Sequence, residues 1–389
     1  MDQFLHGVEV VEIDNGPRPI STVRASVIGL VGTAPTADSI KFPLNTPVLI
    51  AGNRIDAAML GTTGTLPKSI DGIFDQAGAV VVVVRVEEDA DYNITLANII
   101  GGVDPLTEQR EGLQALLYSE SVVHVKPRLL IAPGFTHELS VATEIDSIAH
   151  RLRGIGIIDG PSTTHEDALN YAANFGSARL YLVDPAVKVF DTVAAVESIE
   201  PSSARVAGLI ARQDNERGYW WSPSNTIMRG IVGTERSIDF SIGDFNSRAN
   251  LLNENNVATI VRQDGYRLWG NRTLSSDPKF AFLNVRRTAD IIHDSVQRAH
   301  LWAIDRNITR TYLEDVVAGV NNYIRYLSSI GAIINGKAWA DADLNTPDQI
   351  SQGKVFIDFD FSANYSAEHI TFRSHLVDDY LEEILPFAA

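Results

Sequence analysis

The turn GTTGTLPKS, Gly61–Ser69, holds the parts of a phosphate cradle: glycines, a lysine and a serine in suggestive order. Pro67 stands directly before Lys68, where such a cradle needs glycine, and it removes an N–H donor that would face the phosphate. GIGIIDG, Gly154–Gly160, has the glycines of a dinucleotide turn, but they precede or lie within a strand instead of opening a helix. DGPS, Asp159–Ser162, sets an acid near a hydroxyl as a hydrolase would. The same order serves a plain strand-to-helix turn with Ser162 or Thr163 as cap, and no G-x-S-x-G elbow occurs. Tyr219–Asn225, YWWSPSN, could stack a sugar or a base, yet it lacks a polar constellation and fits packing better. The nine histidines include no pair at metal-ligand spacing. His293 and His300 would lie about 10 Å apart on one helix face, and His369 and His375 on the order of 20 Å apart on one strand. Catalytic, cofactor and metal sites are therefore expected to be absent. That leaves DGYRLWGNRTLSSDPKF, Asp264–Phe280, as a ligand clamp, a nucleic-acid contact, a catalytic turn or a structural joint.

Bulk properties narrow these options. A chain of 389 residues with 45% apolar content buries a sizeable core, usually in two or three domains. The balance of 32 basic and 49 acidic side chains gives a net charge of −17, which argues against nucleic acid as a partner. Cysteine is absent, so thiolate sites and disulfides are excluded. MDQFLHGVEV lacks the basic start and apolar core of a secretory signal, and the apolar run Ala77–Val84 is too short to span a bilayer. The expectation is a soluble protein made and folded in a cytoplasm.

The elements that must position any site fall into two styles. From about Arg24 to Gln263, strand-like runs (ASVIGLVGTA, PVLIAG, AVVVVVRV, PRLLIAPG, IGIIDGP, ARLYLVDP) are interspersed with amphipathic segments beginning HELSVATEI, THEDALNY and SSARVAGL. Continuous apolar strands among such helices predict a largely parallel sheet covered on both faces. In the last third, long helices are expected over roughly Asn284–Ile304 and Thr311–Ile330, the second ending at a capping Gly331 in GAIINGKAW. Val355, Ile357, Phe359 and Phe361 then alternate with acids, and Ile370, Phe372 and Leu376 with polar residues, which predicts a hairpin of Lys354–Phe361 with Glu368–Leu376. GVEVVEI near the start is an edge-strand candidate tethered by NGPRP, and an acidic VDDYLEEILPFAA ends the sequence.

GYRLWGNRTL followed by DPKFAFLNVRRTADII closely resembles the signature region of contractile-tail sheath proteins, above all those of temperate phages and R-type pyocins. HGVEVVEIDNGPRPISTVRASVIGLVGTA, FPLNTPVLI, ESVVHVKPRLLIAPG, AHLWAIDRNIT and GKVFIDFDFSANYSAEHITFR extend the resemblance over nearly the whole chain, in order. The resemblance implies a subtilisin-like mixed α/β outer domain without protease function and an α+β C-terminal domain. A small sheet in the latter is completed by arms from neighbouring subunits. Expected boundaries are an N-terminal arm 1–23, an outer domain 24–263, an inner tube-facing domain 264–376 and a C-terminal arm 377–389. The arm strands would use Gly7, Val8, Val10, Val11 and Ile13 at one end, and Tyr380, Leu381 and Ile384 at the other. The accepting hairpin would present Val355, Ile357, Phe359, Phe361, Ile370, Phe372 and Leu376. Arg286, Arg287, Arg298, Arg306, Arg310 and Arg325 are candidate tube contacts.

The implied function is a structural subunit that polymerises in helical, six-fold rings around an inner tail tube and contracts to drive the tube through a cell envelope. Implied partners are further copies of itself, the tube, baseplate and tail terminator proteins, without nucleic acid, membrane insertion or cofactor. The implied location is a virion tail or headless tailocin, assembled in the host cytoplasm. A type VI secretion-like sheath component and an α/β hydrolase are the alternatives. SANYSAEH replaces the Pro-rich link that this family tends to carry there, so the turn between Phe361 and Glu368 stays open.

Overall fold

Val81–Val84 is buried on both faces of the large sheet. In the strand it forms, Val81 and Val83 face one core while Val82 and Val84 face another, as the two-residue period of a strand demands. The computed structural model describes residues 19–191 and 195–384. Along the chain run β1 (Ile28–Thr33), β2 (Pro47–Ala51), α1 (Arg54–Ala57), α2 (Leu66–Phe74), β3 (Val80–Val86), α3 (Tyr92–Ile100), α4 (Ser119–Val123) and β4 (Leu129–Ile131). Next come α5 (Leu139–Leu152), β5 (Ile155–Asp159), α6 (His165–Ala172), β6 (Leu180–Val183), β7 (Val187–Asp191), β8 (Val196–Glu200) and α7 (Ser202–Arg217). They are followed by β9 (Thr226–Ile227), β10 (Gly233–Thr234), α8 (Arg248–Glu254), β11 (Val257–Arg262) and β12 (Tyr266–Trp269). The last third adds α9 (Leu283–Ala299), α10 (Arg310–Ser329), β13 (Ile333–Ala340), α11 (Pro347–Ser351) and β14 (Ile357–Ala363).

Nine strands form one sheet in the order β2-β3-β1-β4-β5-β6-β11-β12-β9. The run from β3 to β11 is parallel, and antiparallel strands close both sides, as expected of an α/β fold. One face packs Ile28, Leu30 and Ile157 against Ile70 and Ile73 of α2 and Leu209 and Ile210 of α7. The other packs Val31, Leu130 and Ile158 against Val141, Ile145 and Ile148 of α5. α2 and α7 cross so closely that a Cβ at Gly208 would meet the Ile73 carbonyl oxygen at 2.6 Å.

A third cluster joins Ile292 of α9, Val320, Tyr323, Ile324 and Leu327 of α10, and Ile333 and Ala338 of β13. α9 also faces the large sheet, where apolar packing gives way to ion pairs. Arg179 donates to Asp290 through two nitrogens at 2.7 and 2.9 Å, inside a buried junction. One turn on, Asp294 accepts from Lys126 at 3.0 Å and also from Arg128 and Arg153. Arg287 clamps Asp214 of α7.

The last third differs from expectation in its strands. Gly331 caps α10 as expected, with φ of 75°, and residues 333–340, for which the sequence predicts no element, form strand β13. β14 pairs with β13, not with Glu368–Leu376, and Val355 precedes it. Small residues in IINGKAWA had weakened the alternation that marks a strand. Finally, the boundary expected between 263 and 264 falls inside the β11–β12 hairpin, because Tyr266–Trp269 pairs with Thr259–Arg262.

Candidate functional site

Among the described residues, β13 and β14 form a sheet of two strands, separate from the nine-stranded sheet and from a three-stranded one of β10, β7 and β8. β13 and β14 pair antiparallel from Ile333 opposite Ala363 to Ala340 opposite Ile357, with a register shift between Ile333 and Asn335. Neither has another partner strand among the described residues, so each has an open backbone edge. One face, with Ala338, Phe359 and Phe361, lies on the third cluster. There the His293 ring stands edge-on to Phe359 and Phe361 at 5.9 and 6.2 Å. Burial, reinforced by Arg286, pushes the His293 pKa below the usual imidazole value. The other face carries Lys337, over the Trp339 ring at 5.1 Å, with Asp358 and Asp360. Asp358 shares a hydrogen bond with Asp341, and that bond pushes its carboxyl up.

The remaining predicted residues separate into distinct settings. Gly7, Val8, Val10, Val11 and Ile13 lie outside the described residues. Ile370, Phe372 and Leu376 are not in the hairpin; they are 67%, 91% and 99% exposed, in a segment without regular structure. Tyr380 and Leu381 are exposed at the start of a 3-10 turn, Asp379–Ile384, which includes Ile384. Arg287 is buried in its pair with Asp214, so its charge is taken up inside the subunit. Arg286 is also committed internally, donating to Asp290 at 2.7 Å and lying 4.3 Å over Phe280. Both sit on the helix that joins the large sheet to the third cluster, so their charges serve that junction. Arg298, Arg306, Arg310 and Arg325 are exposed; Arg310 is paired with Glu314, and Arg306 lies over Trp302.

WGNRTL occupies neither a pocket of catalytic residues nor a free loop. Trp269 ends β12 and meets Phe240 edge-on at 4.8 Å. Tyr266 donates its hydroxyl to the Val232 carbonyl at 2.7 Å, within the large-sheet lobe. Asn271, buried, donates to Asn284 Oδ1 at 2.9 Å and Ser366 Oγ at 3.2 Å. Arg272 forks onto Glu368 of its own chain with Nε at 3.0 Å and Nη2 at 2.7 Å, a bond that raises the guanidinium pKa further. Sequence reasoning missed Asn284, Ser366 and Glu368 as partners, since nothing local links Asn271 and Arg272 to them.

The hydrolase candidates resolve into structural roles. Asp159 accepts from Ser203 N at 2.7 Å, Ser203 Oγ at 2.6 Å and Thr136 Oγ1 at 3.1 Å, and so supplies the side-chain cap that Pro201 cannot give α7. Burial pushes its carboxyl up, and Ser203 is itself buried, without an imidazole between them. Ser162 has φ of 62° and donates to Glu235. His165 is turned toward Arg236 instead, and Thr164 rather than Ser162 or Thr163 caps α6. Gly61–Thr65 leads into α2 without a cradle, with Pro67 in its first turn. Among the described residues no group of three or more acids and histidines could hold a metal ion, and no helix is long and apolar enough to cross a membrane.

The described residues thus present an α/β body, a strand pair with open edges and exposed apolar residues beyond it. Comparison with known proteins gives the family. Residues 25–86 match the tail sheath protein Gp18 domain III N-terminal region, 108–274 the phage tail sheath protein central domain, and 275–376 the phage tail sheath C-terminal domain. A putative prophage major tail sheath protein of Pseudomonas aeruginosa (strain UCBPP-PA14) is 45% identical over 99% of this chain and 100% of its own length. The tail sheath protein of Escherichia phage P2 is 38% identical over 99% of this chain and 98% of its own. Two solved sheaths share the fold at about a fifth identity. The contracted helical sheath of the anti-feeding prophage has a TM-score of 0.71 at 20% identity, covering 96% of this chain and 99% of that one. The contracted PVC sheath complex of an extracellular contractile injection system has 0.71 at 19%, covering 97% and 99%. This chain belongs to the phage tail sheath family and is a structural subunit of a contractile tail.

Proposed function

We propose that this chain polymerises with copies of itself into helical, six-fold rings around an inner tail tube, and that the β13–β14 pair is where neighbouring subunits are joined. The observation that carries this reading is the two-stranded sheet, whose edges have no partner strand among the described residues, followed by a segment whose apolar residues stand in solvent. Strand addition gains main-chain hydrogen bonds and places alternate side chains in apolar sites. Ile370, Phe372 and Leu376 alternate as such a strand would, so they are donors to a neighbouring copy rather than acceptors within their own. Gly7–Ile13, with Val8, Val10 and Val11, is the second donor. Residues 377–389, including Tyr380, Leu381 and Ile384, extend the same arm.

The division of labour is an arm over 1–23, an outer α/β body through Trp269, an inner part through about residue 369, and an arm beyond. Arg298, Arg306, Arg310 and Arg325 are the tube-facing candidates, and their contact is weak enough to release during contraction. The sheath works without bond chemistry: energy is stored at assembly and released when baseplate contacts trigger larger subunit interfaces. The tail terminator caps the opposite end, and assembly takes place in the host cytoplasm.

Negative-stain microscopy of the purified chain tests this, with no nucleotide added. Tubes are expected from the full chain, and a folded, non-polymerising protein when Met1–Val23 is removed. Normal tubes from the truncated chain would overturn the linking role. Failure of the full chain to assemble without a different second subunit would instead favour the type VI-like arrangement.

A further inference from the structure

The stretch that opens the last third of the chain has a task that strand exchange does not explain. Arg272 reaches across 96 positions of sequence to grip Glu368 with both Nε and Nη2. Its guanidinium lies 5.4 Å over Phe282, which meets Tyr365 edge-on at 6.0 Å. Asn284 holds the Asn364 carbonyl at 3.0 Å, Asn364 Nδ2 in turn donates to the Gly331 carbonyl at 2.7 Å, and Asn271 donates to Ser366. Phe245 closes on His369 at 6.3 Å. From Asn364 to His369 nearly every side chain is held; from Ile370 to Leu381 the residues stand in solvent.

We propose that Arg272, Asn271 and Asn284 form a clasp that anchors the C-terminal segment to its own subunit. The clasp fixes the direction in which the chain leaves after His369 and is the point where load carried by the segment beyond enters the fold. This rests on the reading that the segment links subunits. A forked guanidinium–carboxylate pair fixes orientation as well as distance. The Arg272 and Glu368 side chains are 42% and 34% exposed, so the pair adds little to global stability. Arg272 is thus a positioning residue: breaking its bond leaves the fold intact and frees the arm. Thr273 and Leu274, one and two residues further, are buried and make the clasp's base rigid.

The test compares R272E, E368R and the double variant R272E/E368R in the full chain with a chain ended after His369. Chymotrypsin cleavage after Tyr365, inside the clasp, is followed against cleavage after Phe372, outside it, and tubes are measured by microscopy. Each single variant should keep its melting temperature, cut at Tyr365 roughly fivefold faster relative to Phe372, and give short or no tubes. The charge-swapped double variant should recover both. Single variants that cut and assemble like the parent overturn the clasp, as does a double variant that recovers neither property. Normal tubes from the chain ended after His369 would instead defeat the linking reading itself.

Discussion

Asp294 shows how single residues are bent to the fold's needs. Burial alone would push its carboxyl up, but the Arg128 guanidinium and the bonds from Lys126 and Arg128 outweigh that and hold it below the usual carboxylate value. A carboxylate depressed in the folded state contributes fully above the unfolded value of about 3.9 and loses that contribution as pH falls through the depressed value. Melting temperature should therefore fall more steeply below about pH 4 in the parent chain than in Asp294→Asn. Parallel curves would show that the cluster carries no pH-dependent stability. Asp159 has the opposite shift, raised by burial. It is a cap, so its perturbed pKa marks a structural site and not a catalytic one.

Among the elements, the β13–β14 pair depends on one glycine. A Cβ at Gly336 would meet the Asp360 carbonyl oxygen at 2.3 Å and the Phe361 Cα at 2.9 Å. Both are backbone atoms of the partner strand and cannot step aside without unpairing. Gly336→Val is expected to lose hydrogen-exchange protection at Lys337–Ala340 while β1 and β3 keep theirs, and to form no tubes. Unchanged protection in the small sheet would refute the steric argument. The element was hard to read because Gly336 interrupts the apolar alternation, and the same glycine permits the close strand approach.

For the molecule as a whole, α9 is the shared beam between the large sheet and the small one. Its stripe at Ile292 serves the third cluster, while Asp290 and Asp294 reach back to Arg179, Lys126, Arg128 and Arg153. Removing one partner of a buried pair leaves an uncompensated charge, a loss on the order of 3–5 kcal/mol. Asp290→Ala strands Arg179 and should lower the unfolding free energy in denaturant titration by about that amount. A loss below about 1 kcal/mol, the range of an exposed pair, would show that water reaches the junction.

Local pattern determined most of the body. The six strands from ASVIGLVGTA to ARLYLVDP and the helices α5, α6, α7, α9 and α10 stand where the apolar period puts them, because that signal acts over a few residues. The cross-family likeness was legible for a related reason: collinear motifs persist along the whole chain. Tertiary structure alone decided which cation is free and which strand meets which. Arg286 and Arg287 differ from Arg298 only in what α9 packs against, and a helix face has no sign in sequence saying that an acid waits opposite. Ile370, Phe372 and Leu376 alternate as well as β14 does, yet alternation names a strand and not its partner. Arg272 could not announce Glu368, since the contact exists only after two distant segments have been brought together by everything folded between them.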